Sequence, residues 1–485
     1  MADQRQDRLS ATFSPVSSTG VVLWLQPHQL TIIGVIVVWF LLNVMVGHSP
    51  FTPLNGILLV VALVAAVSVH GRSLIQIVMI HLGFGLRSAT GQTQWTLNPL
   101  TKHTTVGYID LPGAAGKRIK PLEVMNTEFA GACILFDREH GDATAILRCM
   151  GQPFVFAKTQ TQDDRARAFG SLLAQLSEFE DVVRLTIQTR SLMSPFHMPH
   201  TTDSSAVSFA QQEAFDMVAE NMRTIMNHDI IISLTLNPDK ARDIVRSYGG
   251  GVQGISGLFK DRLTPLVSML AAAGVETDQT SQVYWENLAQ LRAMMKLMSD
   301  SHTITVINEK LELDDDIPVA TNYREYTDYI HVGDTYARTL WIDKWPSDPA
   351  SVGFLSQLTS SKDAQIIFTQ AFKPTPENKA RKMLNERKNE LERTQRMNRN
   401  LGRNDDARLT LESNEVDKRL TELAINKAEV SFQGFVTIIA TTKEELDTVT
   451  RNLVTSMSYL HFDRMHGQQY VGWMNALPLG QAGRA

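Results

Sequence analysis

Two glycine-rich runs have the spacing from which phosphate-binding loops are made. Gly249-Gly-Gly-Val-Gln-Gly254 satisfies G-x-G-x-x-G by letters, and Gly113-Ala-Ala-Gly-Lys-Arg118 contains the Gly-Lys pair of a nucleotide loop. Each fails on context. A dinucleotide loop follows a strand, so that the phosphates meet the first turn of the next helix. Here a helical stretch, Asp239–Tyr248, precedes the glycines, which read as the end of that helix and a loop. A Walker loop needs a glycine where Leu111 stands and a hydroxyl, the Mg²⁺ ligand, where Arg118 stands. His197-Met-Pro-His200 with Asp203 could ligate a metal, but Pro199 denies the pair a common helix face. Asp314-Asp-Asp316 lacks further oxygen ligands at loop spacing and reads as an acidic turn. Neither Gly254-Ile-Ser-Gly257 nor Cys133 or Cys149 has the partners of a nucleophile. The sequence therefore assigns no catalytic, cofactor-binding or metal-binding residue, and the expectation is a non-enzyme without cofactor.

The elements are more informative than the motifs. Residues 9–71 contain no Asp, Glu, Lys or Arg, in a chain that is 20% charged. Within that stretch, Leu30–Val46 and Leu54–Val69 are apolar runs separated by a Pro-containing turn. Each is about 25 Å long as a helix, near the lower limit for a bilayer core. The expectation is a two-helix transmembrane hairpin in the cell membrane. Arg5, Arg8, Arg72 and Arg87 flank it, which places both termini in the cytoplasm. A cysteine count of 2 suits a reducing compartment. Leu74–Leu86 is too short to span and reads as an interfacial linker helix.

Beyond it the chain alternates strands and helices. Phe129–Phe136 and Ala143–Cys149 around Asp137–Asp142 form a hairpin signal. Asp164–Phe179 has helix spacing, and Val182–Gln188 reads as a strand. Ser208–Met226 reads as a helix, followed by Ile230–Leu236 as a strand. Residues 256–300 read as helical, Tyr329–Lys344 as strand, Val352–Leu358 as helix and Ile366–Ala371 as strand. This predicts an α+β fold: a membrane hairpin followed by a cytoplasmic mixed α/β domain with antiparallel sheet, of two subdomains, with two related lobes as one option. The expected division is 1–29 cytoplasmic, 30–71 hairpin, 72–94 linker, 95–320 first subdomain and 321–485 second subdomain. A charged helical hairpin at 376–432 is inserted in the last. Leu409, Val416, Leu420 and Leu423 make a thin seam there, and Gly402 marks the turn. Its basic side chains Arg387, Arg393, Arg396, Arg399 and Arg403 are the candidate partner-binding residues, for protein or for DNA phosphates.

Two regions resemble known families. Gln29-Leu30, the hairpin and Gly71-Arg72 resemble the PrgI-type membrane subunits of conjugation systems. The stretch from about Tyr323 to Gly480 resembles the N-terminal, non-motor domain of the TraC/TraE-type type IV secretion ATPases. The likeness rests on Gly333-Asp-Thr-Tyr-Ala-Arg-Thr-Leu340, Trp345-Pro346, Phe354-Leu355, Pro374, Phe435–Ala440, Glu445-Leu446 and Ala476-Leu-Pro-Leu-Gly480. In those ATPases a nucleotide-binding motor follows the last motif, whereas this sequence continues for five residues after Gly480. The layout resembles actinobacterial integral membrane proteins of conjugative elements, with a distant likeness to the EccE subunits of type VII secretion. The resemblance implies a non-catalytic scaffold at the bilayer, with a separately encoded ATPase, other channel subunits and copies of itself as partners. A type VII membrane component and a membrane-tethered nucleic-acid-binding protein are the alternatives.

Overall fold

The computed structural model describes residues 27–45, most of 55–62, 68–98, 109–151, 158–195, 224–276, 285–300, 312–346, 364–400, 407–426 and 428–483, less a few positions within these spans, together with Phe354, Leu355 and Leu358. The chain divides into two compact units, one containing residues 92–374 and 430–485, the other residues 14–91 and 375–429.

In the second unit, α1 (Pro27–Met45) opens the described chain. Strands β1 (Ser68–Val69) and β2 (Arg72–Ser73) pair antiparallel, and α2 (Leu74–Ala89) follows. Ser68 and Val69, expected at the end of the second apolar helix, form β1 instead. Half of that apolar run lies outside the described residues. Among the described residues no helix is long and apolar enough to cross a membrane. The nineteen residues of α1 begin Pro-His-Gln and include Asn43, so its apolar part is about 24 Å long against a core of about 30 Å.

The other unit is built on a sheet of 13 strands. Its first half runs through β3 (Gln94–Thr96), α3 (Ala115–Arg118), β4 (Ile119–Glu123), β5 (Cys133–Asp137), β6 (Asp142–Gly151), α4 (Thr159–Ser177), β7 (Val182–Pro195) and β8 (Thr224–Leu236). A 3₁₀ turn at Pro238–Ala241 leads into α5 (Arg242–Ser247), α6 (Gly251–Ala272), β9 (Val275–Glu276) and α7 (Leu288–Lys296). The second half runs through β10 (Asn322–Glu325), β11 (Ile330–Val332), β12 (Thr335–Lys344) and β13 (Gln365–Pro376). After the hairpin helices α8 (Glu377–Asn400) and α9 (Ala407–Asn426) come β14 (Ala428–Ala440), α10 (Lys443–Ser456), β15 (His461–Asp463) and α11 (Gln469–Ala476).

The strand order is 3-10-11-12-14-13-7-8-6-5-4, with β9 added to β6 and β15 to β12. From one edge it reads 4-5-6-8-7; inside β3 at the other it reads 10-11-12-14-13. The two series match strand for strand and meet where β7 pairs antiparallel with β13, with Thr369 opposite Gln188. In the first series α4 is the crossover between β6 and β7, which run parallel because each is antiparallel to β8 between them. A helix follows β8 and β14 alike, and each half adds a two- or three-residue strand before its last helix. The sheet is thus two copies of one topology about a pseudo-twofold axis at Gln188–Thr369.

Burial explains the composition of the strands. In β8, Ile232, Leu234 and Leu236 face a core under α4 and α6, while Ile231 joins a core on the opposite face. The second half packs its own helical face with Leu340, Ile342, Val436 and Ile438 against Leu446 and Leu453 of α10. The opposite face is one core shared by both halves. Strands buried on both sides read as near-continuous apolar runs, which conceals the antiparallel alternation. At one edge, β4 carries Lys120 and Pro121, which discourage pairing with another chain.

The chain crosses to the other half at the end of each last helix. The Glu286 amide donates to the Ile146 carbonyl at 2.9 Å in the first half. After α7, Met298 and Ser299 sit on the second half, where the Met298 carbonyl accepts from the Thr335 hydroxyl at 3.0 Å. Conversely, the Gln469 side chain accepts from the Thr339 amide at 2.9 Å in the second half. That amide falls in the gap between β11 and β15, so Gln469 completes the ladder there. Beyond α11, Gln188 of the first half donates to the Asn475 and Leu477 carbonyls at 2.9 and 3.0 Å, and Arg184 to the Gly480 carbonyl at 2.8 Å.

Several expectations are revised. The stretch Tyr329–Lys344 is a hairpin turning at Gly333-Asp334. Thr224–Met226, expected at the end of a helix, belongs to β8, while residues 208–223 lie outside the described chain. Helices do not fill 256–300: β9 and the Leu147–Trp285 bridge interrupt them. The regions expected as separate subdomains on either side of residue 320 share one sheet, since β7 and β13 are hydrogen-bonded neighbours. The helical hairpin is present as α8 and α9, and its connection runs between neighbouring strands β13 and β14. The helix expected at Val352–Leu358 lies mostly outside the described residues.

Candidate functional site

A cavity of about 500 Å³ opens at the end of the first half, where the β5–β6 turn meets the chain beyond α11. Its charged lining is Arg118, Asp137, Glu139, His140, Asp142 and Arg184; Gln481, Ala482 and Gly483 form another wall. Asp137 and Asp142 are the last antiparallel pair before the turn. One Asp137 oxygen accepts the Glu139 amide at 3.0 Å; the other lies 3.2 Å from His140 Nδ1 and 3.4 Å from Arg118 Nε. Arg118 also reaches Glu139 and Gln481, each at 3.4 Å. Asp142 accepts from the Asn237 amide at 2.9 Å. Burial lowers the Arg184 pKa, against the pull of Asp142 and Asp137.

This arrangement can hold a charged or hydrogen-bonding group, but it does not pair a nucleophile with a base. The Thr144 and Thr235 hydroxyls bond each other at 3.0 Å, and His140 is engaged with Asp137. The Asn475 side chain and the Gly483 backbone bond each other reciprocally, which fixes the wall opposite. Among the described residues no cluster of His, Cys, Asp and Glu can hold a metal.

The signal for this site in the sequence was weak but present. Along β7, Arg184, Thr186, Gln188 and Arg190 alternate with apolar Leu185 and Ile187. These polar side chains line one face, and two of them, Gln188 and Arg184, donate to the chain from the end of α11 to Gly480. The Ala476-Leu-Pro-Leu-Gly480 motif is that buried strap. A Cβ on Gly480 would meet Thr144 Cγ2 at 2.7 Å, and its φ is +64°. Arg190 is fully buried, donates to the Met294 carbonyl at 3.1 Å, and has its pKa lowered to about 10 by burial. On the same face Glu286 lies 3.0 Å from Arg148, and burial raises its pKa to about 7.

The other singled-out residues are structural where described. Gly113 packs against the Tyr323 and Tyr470 hydroxyls, and Tyr470 donates to the Pro112 carbonyl at 2.7 Å. Gly249, Gly250 and Gly251 have positive φ and link α5 to α6, while Gly254 and Gly257 pack tightly on Val245 and Tyr248. The glycines therefore also open the helix after the loop. Cys133 and Cys149 are buried, and burial raises each thiol to about 12, too high for a ready thiolate. In the Gly333–Leu340 motif, buried Arg338 bonds Asp328, Asp447 and the Thr450 hydroxyl, tying β12 to α10. His197, His200, Asp203, Asp315 and Asp316 lie outside the described residues.

The basic arm is a stapled hairpin. Ala380 and Leu384 pack with Leu423, and Leu391 with Leu409 and Val416. Arg387 is half-buried and donates to Glu412 across the hairpin at 3.1 Å and to Glu390 at 2.7 Å. Arg396 lies 3.4 Å from Glu392, and Arg393 is exposed. The Arg399 side chain and all of Arg403 lie outside the described residues. No family model matches the chain and no curated protein matches it.

Proposed function

We propose that the chain is a non-catalytic scaffold subunit of a conjugative, type IV-like secretion system, anchored in the cell membrane with both termini cytoplasmic. Residues 95–485 would dock a separate ATPase at the channel. The observation that carries the anchoring is where apolar surface is left uncovered. Of 19 exposed large apolar side chains among the described residues, 13 lie between Val35 and Leu86, in a stretch almost free of charge. A patch of that kind seeks lipid or protein. Nothing lies within 4 Å of where a Cβ on Gly34 or Gly56 would sit, leaving room for close helix approach between copies. Scaffolding acts by raising local concentration, and it needs no nucleophile or metal.

The test is co-purification from membranes in mild detergent. The full-length chain should resist alkaline carbonate extraction and retain an oligomer with an ATPase partner. An aqueous monomer without either would overturn the reading. The nucleic-acid alternative is weakened by the arm, where Glu390, Glu412, Asp417 and Glu392 pair with Arg387, Lys388 and Arg396.

A further inference from the structure

The two halves of the sheet provide an internal comparison for the cavity. The last pair before the β11–β12 turn is Val332 opposite Thr335, and the matching pair in the first half is Asp137 opposite Asp142. In the second half that place is filled by polypeptide. The Met298 carbonyl accepts from Thr335, and the Ser299 carbonyl accepts from the Asp334 amide at 3.3 Å. Ser299 sits so close that its carbonyl oxygen occupies the space a Cβ on Gly333 would need. In the first half the corresponding place is the cavity of about 500 Å³, within the range of about 300–1,000 Å³ typical of binding sites.

The chemistry of the two places differs in charge. Carboxylates replace a valine and a threonine at the rim. The two arginines on the wall are engaged: Arg118 with Asp137, Glu139 and Gln481, and Arg184 with the Gly480 carbonyl. Asp142 has the neutral Asn237 side chain as its hydrogen-bond donor, and it attracts Arg184 while that guanidinium's bond goes to the Gly480 carbonyl. A cation brought in from outside would find its counter-charge there, on a rigid strand end.

We propose that this cavity is a docking site for a polypeptide segment of a partner protein that presents a Lys or Arg side chain to Asp142. The site goes beyond the scaffold reading and does not depend on membrane anchoring. The full-length protein in detergent is tested on a positional-scanning array of immobilised nonapeptides. Wild type should select Lys or Arg at one position. Asp142→Asn should lower capture tenfold or more with an unchanged unfolding midpoint, and Ala482→Leu, which fills the cavity without changing charge, should lower it as well. Absence of residue selection, selection of acidic peptides, or capture indifferent to both variants would overturn the proposal. Capture that arises only after removal of Arg484 and Ala485 would assign the cavity to the chain's own end and overturn it too.

Discussion

Gly333 has φ +61° and the Ser299 carbonyl oxygen against its α-carbon, so both backbone conformation and space demand glycine. Gly333→Ala should destabilise the protein by about 1–3 kcal/mol or more, read as a lower denaturation midpoint in urea. A surface glycine such as Gly170, with nothing within 4 Å, provides the control. Glu286 makes a different prediction. Its carboxyl holds a proton to about 7 when folded, against an ordinary value of 4.5, because burial outweighs the nearby Arg148. Between those values the folded state binds more protons than the unfolded one, so this group's contribution to stability falls as pH rises from about 4.5 to 7. Glu286→Gln should remove that slope. The difference between wild-type and variant unfolding free energies across pH 5–8 measures it, and a flat difference would contradict it.

The helical hairpin is the element whose charges most visibly serve its own closure. Its basic run looked like a phosphate-binding arm, yet Arg387 reaches across to Glu412 and Lys388 to Asp417 at 2.7 Å. Arg387→Ala should therefore loosen the hairpin by about 1 kcal/mol, seen as faster amide exchange along α8 and α9, with little change elsewhere. The seam positions that close it were legible, because Leu409, Val416 and Leu423 keep a narrow stripe on an otherwise charged sequence. The β5–β6 hairpin and α4 were equally legible from polar turn residues and helix spacing. Other elements were hidden by tertiary context. Ile225 and Met226 fit an amphipathic helix as readily as a strand, and their pairing with Ser194 and Met193 decides the matter. Gly333-Asp334 was read inside a strand because the two-residue turn interrupts an otherwise apolar run. The polar alternation along β7 is the one trace of the cavity in the sequence, since Asp137 and Arg184 come together only through sheet pairing and Gly480 arrives from 296 residues away to bond Arg184.

At the scale of the molecule, the segments exchanged beyond the last helices tie the two halves of the sheet-bearing unit together like a fused dimer. The first half sends Met298 and Ser299, beyond α7, onto the second, and the second sends Leu477 and Gly480, beyond α11, onto the first. Both crossings end on buried groups: Trp473 of α11 is fully buried, as are Met295 of α7 and Leu477 beyond α11. The junction adds seven matched residue pairs from Ile366–Ser191 to Phe372–Leu185. None of these contacts depends on the covalent link between the halves. A protease site introduced between Ser301 and Leu311 of the full-length chain should therefore allow complete cleavage without separation. The fragments should co-elute in size-exclusion chromatography until denaturant is added. Gln188→Leu removes the donors to Asn475 and Leu477 and strands their carbonyls, so it should release the fragments at a lower denaturant concentration. Fragments that part on cleavage alone would mean the linker, not the exchanged segments and the β7–β13 junction, holds the two halves together.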